Sequence, residues 1–273
     1  MKTVDHMLIL DVDGVISNLK DKKSNPEVLR YIAKELRNGK PVALNTGRST
    51  EWVLERTLQP LVDDLETRKY LKNLIIVGEK GGTWMDFDEN GQPQDHIDKS
   101  ISIPQNLQND VRSLVNSKYS DSTFFDLTKR TMISTEMRDG YDMTSYGEDQ
   151  KLLAPQVDEL IRKYQLENVL VVEPNPIAYD IQNIEVGKHL GIKRILNWLK
   201  DKGMKIVKFT TIGDSPGDIK MAQELNKNNL KVRHVHVGKK GTHEDSYPFE
   251  VITTEREYEE GTEDFLKGLP KSK

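Results

Sequence analysis

The chain has 273 residues, 36% of them hydrophobic and 31% charged, a balance that supports a packed core of one large or two modest domains. Its formal net charge of −4 offers no global attraction to nucleic acid or an anionic membrane, so any anion site has to be local. With no cysteine, a disulfide framework, thiolate zinc sites and thiol nucleophiles are all excluded.

The opening "MKTVDHMLIL" has too short an apolar run, ended by Asp11, for a signal peptide or a membrane span. The expectation is a soluble, cytoplasmic protein without nucleic-acid or membrane partners. Leu8, Ile9 and Leu10 have the unbroken hydrophobicity of a strand covered on both faces. "NPEVLRYIAKELRNG" then reads as a helix, with an Asn–Pro start, apolar residues at helical spacing and Gly39 as its stop. "PVALNTGRS" is a second short strand running into a polar loop, "TEWVLERTLQPLVDDL" a second helix, and "NLIIVGEKGG" a third strand. Strand alternating with helix predicts a doubly wound, Rossmann-like parallel sheet.

From about Thr83 the texture changes. "TWMDFDENGQPQDHI" has an Asn–Gly hairpin signal, and "STFFDLTKRTMISTEMRDG" and "NVLVVEPNPIAYDIQ" supply short alternating strands among two helical segments. This predicts an inserted α+β domain over 85–182, dividing a core formed by 1–84 and 183–273. In "TMISTEMR", strand alternation puts Ser134, Glu136 and Arg138 on one face and Ile133, Thr135 and Met137 on the other. From Val186 the α/β pattern resumes: a helix over "GKHLGIKRILNWLKDKG", a strand entering "GDSPGD", a helix over "IKMAQELN", the strand "KVRHVHVG" and a final helix in "EYEEGTEDFLKGL". His234 and His236 alternate on one strand without a convincing third ligand and are read as structural.

Asp11 and Asp13 end the first strand, where charge is expensive. Both stay ionised only if water or a cation compensates, and Mg²⁺ suits them because it takes hard oxygen ligands and leaves positions open for a phosphate. DxDG also opens a calcium loop, but Val15 and Lys22 stand where that loop needs oxygen ligands, which excludes it. On the tetrapeptide alone a simple polar turn stays open. Two further strands end in polar loops, at Thr46, Gly47 and Arg48 and at Asp214 to Asp218. In an open α/β sheet, ligands bind beyond the carboxyl ends of the strands, so these loops can converge.

DxDGxI, a Thr–Gly–Arg loop, a lysine opening a late helix and GDxxxD, in that order, resemble the four-motif set of the haloacid dehalogenase-like hydrolases. The insertion between the second and third motifs resembles the type C2 cap of the branch with Cof-type and sucrose-, trehalose- and mannosylglycerate-phosphate phosphatases. The resemblance implies that Asp11 is the nucleophile, forming an aspartyl-phosphate, and that Asp13 is the general acid and base, with a higher effective pKa than its neighbour. It implies Mg²⁺ on Asp11, the Asp13 main-chain carbonyl, Asp214 and Asp218. Thr46, Gly47 and Lys188 would stabilise the phosphoryl group, with Arg48 beside them. Lys188 fits the motif better than Lys193 through Gly191, Ile192 and Ile195. Lys129 and Arg138 are the candidate substrate contacts of the cap. One departure stands out: the last motif usually reads GDxxND, and Gly217 replaces its asparagine.

The function implied is a Mg²⁺-dependent phosphomonoesterase for a small phosphorylated metabolite, a sugar or polyol phosphate. Two alternatives accompany it, a phosphomannomutase-like phosphotransferase and a non-catalytic sugar-phosphate sensor. Substrate identity and oligomeric state are not legible in the sequence.

Overall fold

In the second half of β1 (Lys2–Leu10), alternate side chains enter two different cores, which is why Met7–Leu10 shows no polar gap. Leu8 and Leu10 join one buried cluster, Met7 and Ile9 the other. A strand whose two faces are both covered has no solvent side on which to place polar residues. The structure is a computed structural model and describes residues 1–242 and 246–269. No described helix is long and apolar enough to cross a membrane.

α1 (Pro26–Arg37) is capped by Asn25, whose side chain accepts from the amides of Glu27 and Val28, and it buries Val28, Leu29, Ile32, Ala33 and Leu36. β2 (Val42–Asn45) follows. The single helix predicted next is three short ones, α2 (Thr50–Trp52), α3 (Gln59–Asp63) and α4 (Leu65–Arg68), with a π-turn at Val53–Thr57. Pro60 has no amide to continue the ladder, and Asp64 in extended conformation accepts from Glu66 to start a new turn. β3 (Leu74–Gly78), β4 (Thr83–Phe87) and β5 (Pro93–Ile97) come next.

The first compact unit comprises 1–96 and 187–273, the second 97–186. The strand pair after Thr83 therefore lies with the core and not in the insertion predicted over 85–182. Thr83, Trp84, Met85 and Asp86 pair antiparallel with Gly78, Val77, Ile76 and Ile75, and β5 extends that edge. Sequence alternation identified the hairpin, but its partner was set by this long-range register.

The second unit holds α5 (Gln105–Lys118), β6 (Thr123–Phe125), β7 (Ile133–Met137), α6 (Met143–Lys163), β8 (Leu170–Asn175) and β9 (Ala178–Asn183). Its antiparallel sheet runs β6-β7-β9-β8. Ile133, Tyr179 and Ile181 pack with Leu107, Val111 and Val115 of α5 and Leu153, Val157 and Ile161 of α6. Ser134 and Asp180, opposite each other in the ladder, join by a 2.6 Å hydrogen bond on the other face, as the alternation requires.

The chain returns to the core with α7 (Lys188–Asp201), β10 (Met204–Gly213), α8 (Ile219–Lys227), β11 (Val232–His236), β12 (Glu250–Thr253) and α9 (Tyr258–Lys267). β12, four residues long, was not read from the sequence. The large sheet runs β12-β11-β10-β1-β2-β3-β4-β5, parallel from β12 through β3. Helices α1 and α9 pack on one face and α7 and α8 on the other, so the core is doubly wound. After β3 the strand order reverses across β1, and the point between β1 and β10 is where such sheets bind ligands. His234 bonds Thr211 at 2.8 Å and His236 lies 3.0 Å from Thr242, both within the core unit.

Leu44, fully buried in β2, should be a sensitive reporter of this core. Leu44→Ala is expected to lower the unfolding free energy by about 2–5 kcal/mol at unchanged urea m-value. Equilibrium urea denaturation measures both.

Candidate active site

The carboxyl ends of β1, β2 and β10 deliver Asp11, Thr46 and Asp214 to one edge of the sheet. Asp11 N–H donates to the Ile212 carbonyl at 3.0 Å and Thr46 N–H to the Val77 carbonyl at 2.9 Å, so each loop leaves its strand with the ladder still in register. Lys188 opens α7, and its Nζ lies 2.8 Å from Asp11 Oδ1 and 2.6 Å from Asp218 Oδ1 while donating to the Asn45 carbonyl at 2.6 Å. Lys193 is exposed. Carboxylate oxygens of Asp11, Asp214 and Asp218 lie within 4.8 Å of one another, the one group of metal-ligating type among the described residues.

Burial raises Asp11 from 3.8 to about 7; Lys188 opposes the shift, and the charges of Asp218 and Asp214 add to it. Burial also raises Asp214, to about 6, with Asp218 as the next cause. Asp218 is fully buried, but Lys188 and two hydrogen bonds from Ser215, at 2.6 and 3.0 Å, overcome that penalty and hold it below the ordinary range. One ammonium thus pairs with two of three clustered carboxylates, and Asp11 and Asp214 remain under-compensated. That is the electrostatic character of a divalent-cation site, and the all-oxygen donor set fits Mg²⁺.

Asp13 behaves differently. Burial pushes its pKa up, but Arg48 donates from Nε at 2.9 Å and from Nη2 at 3.2 Å, Lys22 stands 3.2 Å away, and the net shift is downward. The sequence expectation that Asp13 would have the higher pKa of the pair is reversed here, because its two cation partners outweigh its burial. Arg48, expected near phosphate, clamps Asp13 and stacks 4.7 Å from the Trp52 ring centroid. Thr46 is buried, with its Oγ1 accepting from the Arg48 amide at 3.2 Å, and Gly47 lies between them. In the insertion, Lys129 is nearly buried and 3.9 Å from Asp126, and the Arg138 guanidinium donates to the Ser120 carbonyl. These two belong to the second unit and not to the cluster just described.

Sequence reasoning passed over several supporting residues. Asn45 donates from Nδ2 to the Lys188 carbonyl at 2.9 Å, so Asn45 and Lys188 grip each other through both side chains and both main chains. The signal was present: an asparagine ending an otherwise apolar strand. Gly191 is required beside it, since a Cβ there would stand 2.2 Å from Asn45 Oδ1. Gly14, at φ +71, faces Asp214 so closely that a Cβ would lie 2.7 Å from its Oδ2. Gly217 has room for a side chain, with only Ser215 Oγ 3.5 Å from an added Cβ, and Ser215 supplies hydrogen bonds that orient Asp218.

By sequence the chain matches no protein-family model and no curated protein. Its structure is similar to several solved ones. A haloacid dehalogenase-like hydrolase from Bacteroides thetaiotaomicron superposes with a TM-score of 0.63 at 12% identity, covering 97% of this chain and 99% of that one. The chain has the haloacid dehalogenase-like fold. The same fold is shared with trehalose-6-phosphate phosphatase from Aspergillus fumigatus, at TM-score 0.56 and 14% identity over 96% of this chain and 91% of that one. It is shared also with an IMP-nucleotidase from Plasmodium falciparum, at TM-score 0.56 and 13% identity over 96% and 69%. The resemblance read from the four motifs is borne out at the level of the fold.

Two outcomes follow from the site's electrostatics. A carboxyl whose folded pKa lies above its unfolded value stabilises the fold at low pH and loses that contribution as pH rises between the two. Metal-free protein should therefore lose stability on account of Asp11 as pH rises from about 4 to about 7, and Mg²⁺ should flatten that fall. Thermal melts across pH with and without Mg²⁺ measure it. Ser215→Ala, which loosens Asp218, is expected to weaken Mg²⁺ binding by roughly 10–100-fold in titration calorimetry.

Proposed function

We propose that this chain is a Mg²⁺-dependent phosphomonoesterase that hydrolyses a small phosphorylated metabolite, a sugar or polyol phosphate, through an aspartyl-phosphate. The observation that carries the reading is the division of labour between two carboxylates two residues apart. Asp11 sits in the under-compensated cluster with Asp214, Asp218 and Lys188, and Asp13 lies outside it under Arg48 and Lys22.

Asp11 attacks phosphorus and the bond from phosphorus to the substrate oxygen breaks. Asp13 gives a proton to the departing alkoxide and then takes one from the water that hydrolyses the aspartyl-phosphate. Lys188 keeps positive charge against the phosphoryl group, with the Thr46 hydroxyl and the Gly47 amide as donors. Mg²⁺, when bound by Asp11, the Asp13 carbonyl, Asp214 and Asp218, supplies the charge that offsets repulsion between an anionic nucleophile and an anionic substrate. Arg48 has a second task in this reading: a substrate phosphate competes with Asp13 for its guanidinium, so binding frees Asp13 to carry a proton.

The sugar or polyol class is supported by the insertion. Its sheet face away from α5 and α6 carries Ser134, Glu136, Glu173, Asp180 and Gln182, side chains able to read hydroxyl groups. Lys129 and Arg138 are the proposed substrate contacts there. A solved structure of the same fold is a trehalose-6-phosphate phosphatase.

The test is phosphate release from a panel of sugar, polyol and nucleoside monophosphates, with Mg²⁺ or with chelator. Release should require metal, and Asp11→Asn should reduce it by at least about 10³-fold in protein that circular dichroism shows to be folded. A folded protein that binds Mg²⁺ and releases nothing from any of them sinks the proposal.

A further inference from the structure

The acidic stretch "TTEREYEEGTED" has no part in the chemistry above, yet its helix touches the loop after β1 at two points. Asn18 donates from Nδ2 to Glu259 Oε1 at 2.7 Å, and Asn25 from Nδ2 to Glu263 Oε2 at 2.9 Å. Both asparagines are joints of that loop. The Asn18 amide donates to the Lys23 carbonyl at 2.9 Å and its carbonyl accepts from the Lys22 amide at 3.1 Å, closing the turn. Asn25 spends its Oδ1 on capping α1, which leaves its Nδ2 for Glu263. Between the two joints Lys22 sits at φ 58, in the left-handed region, and places its Nζ 3.2 Å from Asp13 Oδ1.

The helix itself is firmly seated. Leu266 is buried in the main core, Thr262 is buried, and Gly261 is so close to the preceding loop that a Cβ would lie 2.3 Å from the Arg256 carbonyl oxygen. The remaining acids of its outer side have other partners: Glu260 and Asp264 pair with Arg256. Glu259 and Glu263 alone among these four reach the loop.

We propose that α9 is a strut that sets the loop 18–25, and through it Lys22, against Asp13, so that Glu259 and Lys22 are positioning residues for proton transfer by Asp13. The inference rests on the phosphomonoesterase reading. Without substrate Asp13 is held from two sides, by Arg48 from the loop after β2 and by Lys22 from a loop braced on the C-terminal helix, and once phosphate draws Arg48 away the Lys22 contact is the one that remains. How firmly the loop holds Lys22 then decides which way Asp13 faces the leaving oxygen.

The test compares Lys22→Met, Glu259→Ala, Glu259→Gln and, as a control on the same helix, Glu260→Ala. Each is assayed with Mg²⁺ on glucose 6-phosphate, whose alkoxide needs a proton to leave, and on p-nitrophenyl phosphate, whose leaving group does not. Lys22→Met and Glu259→Ala should lower kcat on the alkyl ester by about tenfold and change it by less than about twofold on the aryl ester. Glu259→Gln keeps an acceptor for Asn18 and should restore the wild-type rate, as should the control. Equal losses on both esters, or none, overturn the proposal. Amide hydrogen exchange reads the strut without turnover: exchange at 18–23 should quicken in Glu259→Ala and not in Glu259→Gln or Glu260→Ala, and unchanged exchange overturns it as well. A wild type that hydrolyses neither ester counts against the phosphomonoesterase reading, and the exchange result then decides the strut on its own.

Discussion

One ammonium group organises this site. Lys188 is mostly buried between Asp11 and Asp218, themselves buried or nearly so, and is bound to the Asn45 carbonyl. Taking three charges out of water is costly, and the cost is met only when the geometry lets each find its counter-charge and hydrogen bonds. Much of the surrounding architecture serves that geometry: Asn45 ends β2 and locks the start of α7, Gly191 lets the helix approach, and Ser215 steadies Asp218. The arrangement still leaves the carboxylates in excess, and this shortfall is what a divalent cation would fill.

The same electrostatics separates the two acids of the DxDG motif. They are two residues apart, yet burial and like charges dominate one and cations dominate the other. Past Leu10 the chain leaves the strand and turns, so Asp11 stays beside Lys188 of α7 while Asp13 meets Arg48 and Lys22. Two chemically identical side chains thus acquire different environments within two residues of backbone, and different roles become available to them. The contacts of α9 extend this division outward, since they bear on the Asp13 side alone.

Much of the fold was legible because burial on both faces writes itself into composition. The apolar runs of β1, β2, β3 and β10, the helical spacing in α1, α7 and α8, and the alternation in β7 all follow from local periodicity. What failed was non-local or short. The hairpin after Thr83 has the right turn but joins the core sheet, because pairing with β3 is a tertiary choice that its own residues do not encode. The helix expected over 50–65 breaks because a proline and a capping aspartate outweigh its apolar spacing.

At the site the sequence by itself determined which chemistry-bearing side chains stand at strand ends: Asp11, Asp13, Thr46, Asp214, Asp218 and the lysine opening α7. It could do so because a charged residue after a buried apolar run is costly without a reason. Only the tertiary structure decided how those charges are shared. That Arg48 and Lys22 belong to Asp13, that Lys188 is divided between Asp11 and Asp218, and that Asn18 and Asn25 lean on a helix some 240 residues further along the chain depend on distances across the fold. The electrostatic energy of a buried group varies inversely with those distances and with the local dielectric, and neither is written in the order of the residues.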